Sequence, residues 1–260
     1  GYVSQRRALL GDTASREWRP GAPAGATPFR PPLREDDPQG DGTARPAATG
    51  EPTVARSGLT RGDTCHIDVV DRWGNIVSVT PSGGWLQSSP TVPGLGFCLG
   101  TRLQMCWLDD DSPSALRPGR RPRTTLSPTL IVDDEGPVMA LGTPGGDQQD
   151  QWQLPMLLRM LVGGYSAQEA IDAPTFHTTA LIDSFWPRTW TPAGVVAEDR
   201  LGRDVIDGLR ARGHEVSSVD GWTLGRLSAV GIDRSRSVGD GPVLWAAANA
   251  RGMSGYAAGR

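Results

Sequence analysis

Apolar side chains recur with a period of two in Cys65-His66-Ile67-Asp68-Val69-Val70-Asp71, the pattern of a half-buried strand. Trp73-Gly74-Asn75 then turns the chain into a second run, Ile76 to Thr80, as a hairpin would. Two further strands are expected at Thr129 to Val132 and Val138 to Leu141, joined by the turn Asp133-Asp134-Glu135-Gly136; the glycine-rich loop Gly142-Thr143-Pro144-Gly145-Gly146 follows directly. The period changes to that of a helix over about residues 148–162, with Trp152, Met156, Leu157, Met160 and Leu161 on one face and Pro155 marking an early turn or a kink. Ser166 and Glu169 form a capping box for a helix over residues 167–172, stopped by Pro174. A third helix is expected at about residues 200–212, ending at Gly213, then a strand at 215–219 and a last pair, 228–233 and 243–248, flanking the turn region 239–241. Strands, then helices, then strands predict α+β layers rather than a doubly wound parallel sheet.

Before Thr64 the texture differs. Residues 2–10 suit a short helix, but residues 11–62 are rich in proline, glycine, arginine and acid without an apolar period, which reads as a flexible connector. The boundary falls at Thr64, where a loose approach leaves room for a backbone break. At 260 residues, with 37% hydrophobic content, a single core is expected.

Charge and composition exclude several chemistries. A net charge of −3 without a long basic block argues against a nucleic-acid partner, despite the local cluster Arg117, Arg120, Arg121 and Arg123. Every basic residue is arginine, so Schiff-base chemistry and a lysine general base are excluded. Cys65, Cys98 and Cys106 lack CxxC spacing, and His66, His177 and His214 are scattered. Neither a disulfide framework nor a metal site is therefore expected, and the thiols read as buried. No apolar stretch approaches the ~18 residues of a membrane span, and Gly1 to Arg7 lacks the plan of a signal peptide, so a soluble chain without a membrane partner is expected.

Thr64 carries the candidate chemistry. If the peptide bond before it were broken, its hydroxyl and its new α-amine would lie on one residue, a nucleophile with its own base. An α-amine titrates near ~8, close enough to neutrality to take the hydroxyl proton and later return it to the leaving group. Cys65 is the alternative nucleophile, but alternation points it to the opposite face. Backbone N–H groups of Gly145 and Gly146 could receive an oxyanion, since residues without side chains let a substrate approach closely. The same loop also suits a phosphate cradle, although Asp147 and Gln148 stand where a P-loop would have its lysine, and a plain strand-to-helix turn is the third reading. Hydroxyls at Thr124-Thr125-Leu126-Ser127-Pro128 and at Pro81-Ser82-Gly83-Gly84 could hold a carboxylate or support the nucleophile, or simply form turns.

Four separated motifs converge. Asp63-Thr64-Cys65-His66 with Val70-Asp71 and Gly74-Asn75, then Arg121-Pro122-Arg123-Thr124-Thr125-Leu126-Ser127-Pro128-Thr129, then Thr143-Pro144-Gly145-Gly146, then Ala173-Pro174-Thr175-Phe176-His177, resemble the γ-glutamyltransferase family in content and order. The resemblance implies an N-terminal-nucleophile hydrolase, a four-layer αββα sandwich made as a proenzyme that cuts itself before the threonine. On it, Thr64 matches the nucleophile, Gly145 and Gly146 the oxyanion glycines, and Ser82 the supporting hydroxyl. Thr124 and Thr125 match the pair that binds the α-carboxylate of glutamate. Residues 1–63 then look like the tail of a large subunit and residues 64–260 like the small subunit. The implied partners are that large subunit, in a heterodimer or a dimer of heterodimers, and a small-molecule amide; no cofactor is implied.

The departures are informative too. Gly84 stands where the family has an asparagine, and an ungapped alignment puts Arg102 and Met105 where it has the glutamine and aspartate that grip the α-amino group. Arg102 could instead help Thr124 and Thr125 hold a carboxylate. The expected activity is attack on a γ-glutamyl or related amide through an acyl-enzyme on Thr64. The alternatives are a specialised relative, such as an acylase, a small-acid amidohydrolase or a carbon–carbon-cleaving enzyme, or an uncleaved fold that only binds.

Overall fold

The computed structural model describes residues 1–35, 64–83, 91–239, 241–251 and 255–259. Its elements are α1 (Tyr2–Arg7), β1 (Ile67–Val70), β2 (Ile76–Val79), β3 (Thr129–Asp133), β4 (Gly136–Gly142), α2 (Gln149–Leu161), α3 (Ala167–Asp172), β5 (Phe176–Thr178), β6 (Gly194–Glu198), α4 (Arg203–Ala211), β7 (Glu215–Val219), β8 (Ser228–Val238) and β9 (Gly241–Ala248). Strands β3-β4-β8-β9 make an antiparallel sheet and β1-β2 a hairpin. In the third sheet, β6 pairs antiparallel with β5 and parallel with β7.

The core lies between one face of the four-stranded sheet and the helices. Met139 and Leu141 of β4, Ala229 of β8 and Ala247 of β9 meet Trp152 and Met156 of α2, Ala170 and Ile171 of α3, and Val196 of β6. Because strand side chains alternate, Ala140 and Gly142 look to the other face, over which the β1-β2 hairpin lies against β4 and β8. The α3 capping box forms as expected: Ser166 Oγ accepts from Glu169 N–H and the Glu169 carboxylate accepts from Ser166 N–H.

A buried carboxylate ties the third sheet to the segments that flank the four-stranded one. Glu198 accepts from the N–H groups of Thr175 (3.2 Å) and Leu224 (3.1 Å) and from the Arg251 guanidinium (3.2 and 3.3 Å). Arg251 also donates to the carbonyls of Ile171 and Ala173. A charge buried this fully is tolerated because both partners are paired and hydrogen-bonded.

Several expectations need correction. Helix α1 ends at Arg7 rather than at residue 10, and α4 starts at Arg203, because Gly202 at φ +87° separates it from a short turn over Asp199–Leu201. Pro155 sits inside α2 without ending it. Strands β5 and β6 are additions, and β6-α4-β7 is a parallel crossover within the α+β layering. All three thiols are free, but they are not buried: Cys65 is exposed, and Cys98 and Cys106 are half-buried.

Candidate active site

Polarity in the β1-β2 hairpin is inverted relative to an ordinary half-buried strand. Ile67, Val69, Val77 and Val79 point outward and are 52%, 51%, 50% and 43% exposed, while Thr64, His66, Asp68, Ser78, Thr80 and Ser82 point toward β4 and β8. The antiparallel register sets the inward residues opposite one another as three cross-strand pairs. Thr64 Oγ1 lies 2.6 Å from Ser82 Oγ, His66 Nδ1 lies 2.7 Å from Thr80 Oγ1, and Ser78 Oγ donates to Asp68 Oδ1 at 2.9 Å.

The inner pairs are joined to each other and to the sheet. His66 Nε2 is 2.9 Å from Asp68 Oδ1, Ser228 Oγ of β8 donates to Asp68 Oδ2 at 2.9 Å, and Ser78 Oγ reaches the carbonyl of Leu141 at 3.2 Å. Both side chains of the His66–Asp68 pair are only 1% exposed. A carboxylate only accepts, so the tautomer that bonds Asp68 carries its hydrogen on Nε2 and leaves Nδ1 to accept a hydrogen bond from the Thr80 hydroxyl. Gly142 makes room for this arrangement, since a Cβ there would overlap the His66 ring. Sequence reading passed over His66 and Asp68. The available signal was polar residues at 64, 66 and 68 facing polar residues at 82, 80 and 78 across one turn.

Replacing Asp68 by alanine strands the donors of His66 and Ser228 and leaves Ser78 only the Leu141 carbonyl. The expected cost is about 2–4 kcal/mol, with Asp68→Asn losing less because it keeps the shape and one acceptor. Urea midpoints of the two variants check this; equal midpoints would contradict it.

The loop after β4 is held by its neighbours. Gly145 has φ +139° and abuts the buried Trp152 ring, which a Cβ would overlap; Gly146 has φ +52° and opens the turn Gly146–Gln148 that leads into α2. Among the described residues, the N–H groups of Gly145 and Gly146 have no hydrogen-bond acceptor. Two unspent backbone donors at the start of a helical segment suit a developing negative charge.

Two cavities flank this loop. The larger, of about 600 Å³, is lined by Thr64, His66, Asp68, Pro144, Arg226 and Asn249 among others. The smaller, of about 160 Å³, is lined by Thr124, Thr125, Arg123, Gly146, Asp147 and Asp183 among others. Thr64 and the threonine pair thus line different cavities, Pro144 lining the first and Gly146 the second. Thr124 Oγ1 accepts from Leu126 N–H at 3.1 Å, the turn-forming alternative for that residue. Arg102 stands in a short turn, Arg102–Met105, with its Nε 3.8 Å from where a Cβ on Gly83 would sit, beside Ser82. Met105 is fully buried. Gly84 lies outside the described residues. Among the described residues, no cluster of His, Cys, Asp or Glu could hold a metal ion, and no helix is long and apolar enough to cross a membrane.

Asp147 has an unusual carboxyl. Burial, reinforced by the neighbouring Asp183 carboxylate, raises its pKa from 3.8 to about 6, against the opposing hydrogen bonds from the Ser184 hydroxyl and N–H. The folded protein therefore holds a proton that the unfolded chain has lost between about pH 4 and 6. Stability from this group is greatest below the unfolded value and declines as pH rises through that window. Asp147→Asn should flatten this part of the stability–pH curve; an unchanged slope would contradict the assignment.

Comparisons with known proteins agree with these motifs. The family model for gamma-glutamyltranspeptidase matches residues 2–259. The glutathione hydrolase proenzyme of Bacillus subtilis subsp. natto is 28% identical over 186 residues, covering 70% of this chain and 29% of that protein. The chain thus spans under a third of that relative. A solved structure of an LmbA2991 variant is 49% identical with a TM-score of 0.80, covering 100% of this chain and 42% of that one. The cephalosporin acylase of Bacillus halodurans, at 23% identity and a TM-score of 0.65 over 98% of this chain and 37% of that one, shares the fold. The chain is a mixed α/β part of the N-terminal-nucleophile hydrolase fold, and it belongs to the gamma-glutamyltranspeptidase family.

Proposed function

We propose that this chain carries the nucleophile of an autoprocessing threonine hydrolase or acyltransferase, with residues 1–63 ending a large subunit and residues 64–260 forming the small one. The observation that carries the reading is the Thr64–Ser82 hydroxyl pair, 2.6 Å apart at the head of a rigid polar ladder. After cleavage before Thr64, the new α-amine takes the hydroxyl proton as Oγ1 attacks the acyl carbon. The tetrahedral oxyanion is received by the N–H groups of Gly145 and Gly146. Collapse breaks the bond to the leaving amine, which takes the proton, and leaves an ester on Thr64. Water or an amine then releases the acyl group by the reverse proton path. Ser82 supports the hydroxyl, while Thr124, Thr125 and Arg102 hold a substrate carboxylate.

The outward apolar face of Ile67, Val69, Val77 and Val79 supports a missing layer supplied by the large subunit, which completes the four-layer αββα sandwich. A donor specificity other than γ-glutamyl is favoured by Arg102 and Met105. A fully buried thioether cannot hold an ammonium group, and Arg102 would repel one. Parallel assays with a chromogenic γ-glutamyl anilide and with glutaryl and oxamate amides test this. The reading expects turnover of at least one amide without an α-amino group to exceed that of the γ-glutamyl donor; preference for the γ-glutamyl donor would reverse the specificity assignment.

A further inference from the structure

Arg226 is assigned to none of the roles above, yet it lines the same cavity as Thr64. Its backbone is fixed on three sides. Leu224 N–H donates to buried Glu198, Gly225 packs on the Trp152 ring, and Arg226 N–H donates to Thr143 Oγ1 at 3.1 Å, within the glycine loop. The guanidinium is therefore carried by a backbone tied to the glycine loop, in the cavity that Thr64 lines.

Other half-buried or buried arginines of the fold have their charge spoken for. Arg251 pairs with Glu198, Arg188 donates to three carbonyls, and Arg159 donates to two. The Arg226 side chain has no hydrogen bond or ion pair among the described residues. Burial alone lowers its pKa, with no carboxylate acting against it. Asp68, the acid that shares the cavity, is committed to His66, Ser78 and Ser228. A half-buried cation without an anion is costly, and a planar guanidinium matches a carboxylate in two-point contact. On the hairpin face of the sheet, shared with Ser228, the lining includes Val230, Ala246 and Ala248, which suits a short apolar linker.

We infer that Arg226 anchors an anionic group of the acyl donor, a carboxylate separated by a short apolar chain from the carbonyl that Thr64 attacks. The inference rests on the hydrolase reading above and narrows its substrate class. It adds a second anion contact, in the cavity that Thr64 lines, to the one expected from Thr124 and Thr125.

The test uses the full-length processed protein and two anilides that share a three-carbon apolar chain, glutaryl and butyryl, with and without the terminal carboxylate. The parent should prefer the glutaryl donor, and added salt should erode that preference. In Arg226→Gln the ratio of the two kcat/KM values should fall by about 30-fold, mainly through KM, with Arg226→Lys recovering part of it. Arg226→Glu should turn the preference toward a 4-aminobutyryl donor. A ratio near one in the parent, or one unchanged within threefold in Arg226→Gln and Arg226→Glu, would overturn the anchor while leaving Thr64 chemistry intact. If neither anilide is turned over, calorimetric binding of glutarate replaces the assay. A tenfold or greater loss of affinity in Arg226→Gln supports the anchor, and equal affinity or no binding in the parent rejects it. Loss of all turnover in Thr64→Ala but not in Arg226→Gln separates failure of the anchor from failure of the hydrolase reading.

Discussion

Replacing Thr64 by alanine should leave a single uncut polypeptide and lower turnover by a factor on the order of 10^5. The reason is that one atom, Oγ1, is assigned both tasks: attack on its own preceding carbonyl during processing and attack on substrate afterwards. Its partner, Ser82 Oγ, is only 2.6 Å away and cannot take over, because it brings no α-amine with it. Thr64→Ser keeps the hydroxyl and the amine and should process and turn over, more slowly than the parent. Electrophoresis of freshly made protein and a progress curve measure both effects. Normal cutting in Thr64→Ala would remove the nucleophile from position 64.

Gly145→Ala should be the most damaging change outside the nucleophile. At φ +139° an L side chain is strained, and its Cβ would overlap the fully buried Trp152 ring, which the surrounding core holds in place. The loop must shift, taking both candidate oxyanion donors with it. A destabilisation of about 2–4 kcal/mol and a kcat loss of about 10^2 to 10^3 are expected. Gly146→Ala is the control: at φ +52° its Cβ would find its nearest neighbour, Gln148 Oε1, at 3.5 Å, so the stability loss should stay near the ~1–2 kcal/mol of a left-handed residue. Thermal midpoints and kcat for the two variants make the comparison; equal stability losses would mean that Trp152 does not brace the loop.

Sequence reading located elements whose signals are local. The Ser166–Glu169 capping box fixed the start of α3, and the Asp133–Gly136 turn fixed the β3-β4 hairpin, because both depend on residues a few positions apart. Strand β6 escaped because Gly194, Val195, Val196, Ala197 and Glu198 are buried at every position; a strand covered on both faces carries no period of two. Its glutamate looks like a surface residue until Arg251, more than fifty positions later, arrives beside it. The candidate site divides the same way. Thr64, Ser82, Gly145 and Gly146 could be named from motif and order. That Thr124 and Thr125 line a different cavity from Thr64 is a property of three-dimensional packing, as are the ties from Asp68 to Ser228 and from Arg226 to Thr143.

The hydrolase reading predicts stabilities as well as rates, but its chemistry turns on one covalent fact. Intact-mass analysis of a catalytically active preparation, quenched during turnover of its amide donor, reads that fact directly. The expected result is a polypeptide beginning at Thr64 with a free α-amine, a fraction of which carries the mass of the acyl group on the Thr64 side chain. An active preparation in which position 64 is still peptide-bonded to Asp63, or in which the acyl group sits on another residue, would contradict it.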